Sequence, residues 1–219
     1  MLMMMGLVLW DERADGKQRS WWRYDLTYGI RVNVEAIFLD SADQEWEQAK
    51  RHLSSGEYVD EESGELRNAR LPDSRESFGY SIRAVVGWAI CLEAFMNLAW
   101  NNSEEERLPE KYRHESALKE LRTKDKIRTI LKAYDYDLGQ LTWLDDLYKL
   151  IKLRNRIVHF KDEVAYVGYE FAPPFSLEFE ESRMISFRNA LGEIIASLDS
   201  RLNLKTGLPD GKAEWVTEL

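Results

Sequence analysis

The chain has 219 residues, of which 44% are hydrophobic and 12% aromatic, so it carries enough apolar surface to bury a core and is not a disordered chain. Its net charge of −9 argues against a nucleic acid bound over the whole surface. The single cysteine, Cys91, excludes an intrachain disulfide framework and fits a reducing compartment. The apolar first ten residues lack the basic start of a signal peptide, and the best membrane-span candidate, Val85 to Trp100, is short and contains Glu93. We therefore expect a cytoplasmic protein with no membrane partner.

The chain is expected to divide into an N-terminal extension over residues 1–27, a helical domain over 28–204 and a peripheral C-terminal tail over 205–219. Within the extension, the apolar segments 7–10 and 21–24 flank a polar turn, which predicts a hairpin.

The helical domain is predicted to begin with a helix over residues 28–53, because apolar residues recur there at intervals of three and four. A polar, glycine-containing stretch, residues 54–74, reads as an exposed, mobile loop. The second helix runs from Arg75 or Ser77 to Trp100, and a solvated loop follows over residues 101–110.

A third, more basic helix is predicted over residues 115–134. After the break at Gly139, Thr142 is expected to cap a fourth helix that ends near His159. The aromatic segment 164–180 predicts a short strand or ordered loop, and a last helix covers residues 182–204. The fold class is therefore all-α: a bundle of four to five helices with minor extended or hairpin additions.

Charge is distributed unevenly along this bundle. Residues 40–65 hold nine acidic and two basic side chains, whereas residues 111–132 hold eight basic and three acidic ones. Residues 149–161 carry five basic side chains and no acidic one. A solvated helix face is the usual explanation for such runs.

The fourth helix departs from the expected apolar pattern at its end. One row at helical spacing begins with Leu144, Tyr148 and Ile151 but finishes with Asn155 and His159. Arg154 lies in the neighbouring row, also where a core residue is expected. Burying such groups without partners would cost several kcal/mol, roughly 1–3 for each hydrogen-bonding group. The three residues Arg154, Asn155 and His159 therefore need partners, a ligand or an interface.

The second helix shows the same change, because the row of Ile82, Val86 and Ile90 continues with Glu93 and Asn97. One hypothesis is that the two helices lie side by side, with Glu93 or Asn97 holding Arg154 or His159 in a functional site. The alternative is a buried ion pair that only fixes helix register. Spacing alone does not decide between them.

The segment Leu150-Ile-Lys-Leu-Arg-Asn-Arg-Ile-Val-His-Phe160 resembles the motif of the HEPN superfamily, in which Arg-Asn is followed by three residues and His. The segment Leu92-Glu-Ala-Phe-Met-Asn97 is similar to a stretch found in an earlier helix of that superfamily. The resemblance covers residues 75–204. It implies a helical bundle that forms homodimers, with two copies of the motif in one cleft.

Many members of the superfamily are ribonucleases that need no metal or cofactor and act in toxin–antitoxin or phage-defence systems. The resemblance implies that Arg154 contacts the scissile phosphate, that His159 transfers a proton and that Asn155 orients His159. RNA would then be the substrate, and an antitoxin or other partner protein would control the activity. In one subgroup of the superfamily, a Tyr two residues after the His is modified with AMP. This chain has Lys161 at that position, which argues against control by AMP modification. Lys161 could instead contact backbone phosphate.

The chemistry of RNA cleavage by its own 2′-hydroxyl fits these residue types, because it needs a base, an acid and a cation. One His per motif cannot be acid and base at once, so two copies of His159 in a dimer would meet the need. Other superfamily members have lost catalysis and bind a protein partner or nucleotide, which is the alternative function. An exposed His159 in a positive cleft favours catalysis, and an enclosed His159 favours a structural role. His52 and His114 have no metal-ligand spacing, so no metal site is predicted.

Overall fold

The computed structural model describes residues 30–59, 66–113, 121–159 and 176–218. Within these ranges the protein is mostly helical, with two small antiparallel sheets. The helices are α1 (Val34–Lys50), α2 (Arg75–Asn101), α3 (Thr123–Ala133), α4 (Leu144–Val158) and α5 (Glu181–Leu202). The strands are β1 (Ile30–Val32), β2 (Leu53–Val59), β3 (Leu66–Pro72) and β4 (Val216–Glu218).

Helix α2 is the centre of the bundle, because α1, α3, α4 and α5 all pack against it. Its side chains Trp88, Leu92 and Phe95 are fully buried. Leu147 of α4 and Phe187 of α5 are also fully buried in this core. Each such side chain contributes roughly 1.5–3 kcal/mol when it leaves water, so α2 is the element on which the fold depends most.

Helix α2 is also the one helix in the described ranges that is long and apolar enough to cross a membrane by length and composition. Half of its most apolar 18-residue window is buried inside the protein. The sequence predicts no membrane span, because the stretch from Val85 to Trp100 is short and contains Glu93, whereas α2 begins ten residues earlier, at Arg75.

The first turn of α2 is stabilised by a capping box. The Ser74 hydroxyl accepts a hydrogen bond from the Ser77 backbone N–H, and the Ser77 hydroxyl accepts one from the Ser74 backbone N–H, both at 3.1 Å. These bonds satisfy backbone donors that have no partner within the helix. They fix the start of α2 at Arg75, one of the two starts that the sequence predicted.

Helices α1 and α2 approach each other closely at Gly87. A Cβ atom added to Gly87 would lie 2.8 Å from Cβ of Ala42, so two small residues are required at this crossing. One residue further along each helix, the carboxylate of Asp43 accepts a hydrogen bond from Nε1 of Trp88 at 2.7 Å. The same carboxylate accepts bonds from Nε and Nη2 of Arg188 on α5, at 2.7 and 2.9 Å. Asp43 therefore ties α1 to both α2 and α5.

The prediction of a loop over residues 54–74 is wrong, because β2 and β3 form an antiparallel hairpin there. In this hairpin Leu53 pairs with Pro72 at one end and Val59 pairs with Leu66 at the other. Leu53 and Ala69 are buried, whereas the other described side chains of the hairpin are mostly exposed. The strands therefore lack the clear alternation of apolar and polar residues by which half-buried strands are recognised. Backbone pairing and contacts of β3 with α2 and α5 hold the hairpin in place.

Three further expectations need correction. The N-cap of α4 is Trp143 and has no side-chain capping bond, so Thr142 does not cap this helix. The first helix begins at Val34 because residues 30–32 form β1. The end of the predicted tail is not peripheral, since β4 pairs with β1 and the Asn33 side chain donates a hydrogen bond to the Glu214 carbonyl at 2.6 Å.

The other predicted elements divide into two groups. The predicted second, third and fifth helices correspond to α2, α3 and α5. The segment 101–110, predicted as a loop, contains a short 3-10 turn at Glu105–Arg107, and a second such turn follows at Glu110–Tyr112. Other predictions concern residues that the structure does not describe. These are the N-terminal hairpin, the start of the third helix, His114, Lys161 and most of the aromatic segment 164–180.

Candidate functional site

An open cleft with a volume of about 1080 Å³ runs along α4. The start of α3 forms one of its walls, and α2 contributes Ala89 and Glu93. The residues of α4 that line the cleft extend from Asp145 to His159, just after the helix. At a rise of 1.5 Å per residue, these two residues are about 21 Å apart along the helix axis. The other residues that line the cleft are Leu121, Arg122, Thr123, Lys124, Tyr148, Lys149, Ile151, Lys152, Arg154, Asn155 and Arg156.

The cleft is strongly basic although the whole chain is acidic. Six of its lining side chains are Lys or Arg and two are acidic. Lys149 is paired with Asp145 at 2.8 Å, and this hydrogen bond is the main reason that the pKa of Lys149 is raised. Arg156 donates to Glu178 at 3.4 Å. Within the described ranges Arg122, Lys124 and Lys152 have no carboxylate partner, so their charges are available to an anion.

The motif residues lie where α4 ends. Arg154 is half-buried, and its Nη1 donates a hydrogen bond to Oδ1 of Asn155 at 3.0 Å. His159 follows the last helical residue, and its backbone N–H donates to the Asn155 carbonyl at 3.0 Å. The side chains of Asn155 and His159 are exposed. The structure therefore brings all three predicted residues to one end of the cleft.

The side chain of Asn155 does not orient His159 as the resemblance implied. Its oxygen is used by Arg154, and among the described residues no hydrogen bond is made to the His159 imidazole. His159 is exposed, whereas a structural role predicts an enclosed, fully hydrogen-bonded imidazole.

The two predicted support residues on α2 have different positions. Glu93 lines the cleft, in which Arg154 and His159 also lie. Asn97 does not line it; its Oδ1 accepts a hydrogen bond from Nζ of Lys126 on α3 at 2.9 Å. The hypothesis was that Glu93 or Asn97 holds Arg154 or His159. Asn97 bonds to Lys126 instead, and within the described ranges Glu93 forms no hydrogen bond to Arg154 or His159.

Lys126 is a residue that the sequence reasoning missed. Its side chain is buried, 6% exposed, and burial lowers the pKa of its ammonium while the nearby Glu93 carboxylate opposes that shift. A signal was present, because Lys126 stands one helical turn before Ile130 and two before Tyr134, both of which are buried. A lysine on an apolar row predicts a buried ammonium with a polar partner.

At the other end of the cleft, the start of α3 faces Tyr148. The Lys124 ammonium lies 4.2 Å from the centroid of the Tyr148 ring, a cation–π contact. The Tyr148 hydroxyl is buried, and within the described parts of the chain no group hydrogen-bonds to it. This aromatic residue was predicted only as part of the apolar row, so its place in the cleft is a finding of the structure.

The arrangement can bind an anionic chain and place an imidazole and a guanidinium beside it, which are groups able to move a proton and to neutralise a phosphate. Among the described residues no three His, Cys, Asp or Glu side chains come together as ligands for a metal ion. Comparisons with protein-family models, curated proteins and solved structures find no significant match to this chain.

Proposed function

We propose that the protein is a metal-independent endoribonuclease of the HEPN type that acts as a homodimer, as a toxin or a phage-defence effector. The observation that carries the proposal is the joint position of Arg154 and His159 at one end of a basic cleft, with His159 exposed to solvent. The motif resemblance and the mostly helical bundle agree with it.

The reaction assigned to the cleft is transesterification within RNA. One His159 takes the proton of a ribose 2′-hydroxyl, and the 2′-oxygen attacks the neighbouring phosphorus. The bond from phosphorus to the 5′-oxygen of the next nucleotide breaks, and a second, protonated His159 gives that oxygen its proton. The products are a 2′,3′-cyclic phosphate and a 5′-hydroxyl, so protons and charges balance without a further reactant.

Arg154 would neutralise the charge that develops on the phosphoryl oxygens, since a guanidinium offers two parallel donors to a phosphate. Its hydrogen bond to Asn155 fixes the guanidinium at the end of the cleft. The second His159 would come from the partner subunit of the homodimer.

The test is cleavage of mixed cellular RNA in the presence of EDTA, with analysis of product ends. We expect the wild type to produce 2′,3′-cyclic phosphate ends, and His159→Ala and Arg154→Ala each to lose at least about 100-fold in rate, the usual contribution of one catalytic group. His52→Ala is the matched control, because His52 is an exposed histidine at the end of α1 and outside the cleft.

Two results would count against the proposal. The first is an RNA pattern that is the same for the wild type and His159→Ala. The second concerns dilution of the protein to concentrations at which light scattering shows that the dimer dissociates. A specific activity that stays constant over this range would contradict a site built from two subunits.

A second candidate function is a non-catalytic HEPN-like module that binds a protein partner or a nucleotide. The observation that favours it is the hydrogen bond from Arg154 to Asn155, which leaves the imidazole of His159 without a group to orient it in the described ranges. Binding of RNA that is unaffected by His159→Ala, together with absence of cleavage, would favour this function.

A further inference from the structure

The cleft extends well beyond the motif, and its far end has features that the cleavage reaction does not use. Tyr148 precedes His159 by 11 residues, which corresponds to about 16 Å along α4. A stacked strand rises about 3.4 Å per nucleotide, so this distance spans about five nucleotides. A group that binds RNA near Tyr148 would therefore contact a nucleotide other than the two at the scissile bond.

Three basic side chains of the cleft have no acidic group that holds them in the described part of the chain. Arg122 and Lys124 lie at this end, at the start of α3, and Lys152 lies between Tyr148 and the motif, two residues before Arg154 on α4. All three are exposed and line the cleft, and within the described ranges none of them has a carboxylate partner. This distinguishes them from Lys149, whose charge is offset by Asp145 and by Asp146.

The aromatic ring between these cations is the second observation. Lys124 covers the Tyr148 ring at 4.2 Å, and a cation–π contact with an exposed lysine is weak enough to be exchanged for a phosphate contact. When the ammonium moves to a phosphate, the ring face becomes available to a base, since aromatic side chains beside basic ones are how proteins bind single strands.

The third observation is the buried Tyr148 hydroxyl, which has no hydrogen-bond partner in the described parts of the chain. A buried polar group without a partner costs free energy in the unbound protein. A nucleotide that enters beside the ring and displaces Lys124 can provide this partner, and the cost is then recovered on binding.

Resting on the proposed function, we infer that Arg122, Lys124 and Tyr148 form a distal subsite for a nucleotide of a single-stranded RNA, several nucleotides from the bond that His159 cleaves. The subsite makes the protein prefer substrates long enough to reach both ends of the cleft. A dinucleotide can contact only the end that contains Arg154 and His159.

The experiment measures binding of 2′-O-methyl oligonucleotides, which lack the attacking hydroxyl and cannot be cleaved. Fluorescence anisotropy at low salt compares a dinucleotide with an octanucleotide for the wild type, Lys124→Gln and Tyr148→Leu, the last of which removes the stacking ring. We expect the wild type to bind the octanucleotide at least about tenfold more tightly, which is within the range of one base stacked on an aromatic ring. Each substitution should remove most of this gain and leave dinucleotide binding unchanged.

Arg128→Gln is the matched control, because Arg128 is an exposed cation of the same helix that does not line the cleft. It should keep the full gain. The inference is overturned if both Lys124→Gln and Tyr148→Leu keep the gain, or if Arg128→Gln loses as much as Lys124→Gln. The two proposals fail separately. Length-dependent binding without cleavage by the wild type refutes only the proposed function. Cleavage that is lost in His159→Ala but does not depend on substrate length refutes only the subsite.

Discussion

Replacement of Asp43 by alanine should destabilise the bundle more than loss of a single ion pair would. The carboxylate of Asp43 accepts hydrogen bonds from Trp88 on α2 and Arg188 on α5, so one side chain joins three helices. Trp88 is fully buried, and its indole N–H would lose its only acceptor among the described residues.

The magnitude follows from these two contacts. An unpaired buried indole N–H costs about 1–3 kcal/mol. The pair of Arg188 and Asp43 is about one third exposed on each side, so solvent screening limits its contribution to about 0.5–1 kcal/mol. Asp43→Ala should therefore lower the free energy of unfolding by about 1.5–4 kcal/mol.

Urea unfolding measures the effect, and two further variants divide it. Asp43→Asn keeps an acceptor for the Trp88 N–H and removes the charge, so it should cost about 1 kcal/mol, close to the cost of Arg188→Ala. If Asp43→Ala cost no more than Arg188→Ala, the buried hydrogen bond of Trp88 would not be the main contribution, and the reasoning would be refuted.

Two more stability predictions follow from other contacts. Burial lowers the pKa of Lys126 in the folded protein, so between that value and its unfolded value the unfolded chain binds more protons and stability rises with pH. Lys126→Met should abolish this rise between neutral pH and about 10.5, and urea midpoints that rise as in the wild type would contradict it. Gly87→Ala places a Cβ 2.8 Å from that of Ala42 and should cost about 1–3 kcal/mol in urea unfolding. Gly192→Ala is its control, with no such close contact, and should stabilise by about 0.4–1 kcal/mol; equal effects would refute the packing argument.

The helices were predictable to the extent that their apolar spacing was strong. Helix α2 ends one residue after the predicted position, because Leu92, Phe95 and Ala99 continue its buried face almost to its end. The hairpin of β2 and β3 could not be predicted in this way. Its register depends on backbone pairing and on contacts with helices remote in sequence, and these leave little pattern in its exposed side chains.

The candidate site was predicted in part. Arg154, Asn155 and His159 were recognised because polar residues replaced apolar ones at helical spacing, and the structure places all three in one cleft. The individual hydrogen bonds were not predictable, because they depend on which helix lies opposite. Lys126 reaches Asn97 only because α3 packs on α2, and Lys124 reaches Tyr148 only because α3 begins beside α4.

The ladder between β1 and β4 bears on the order of folding. It joins residue 30 to residue 218, so closing that loop in an unfolded chain would cost about 4–5 kcal/mol, more than three paired residues return. The ladder can form only after the bundle has brought its two ends together, which makes it a late event. It should also be the first part to open, so amide hydrogens of residues 30–32 and 216–218 should exchange with solvent well before those of α2.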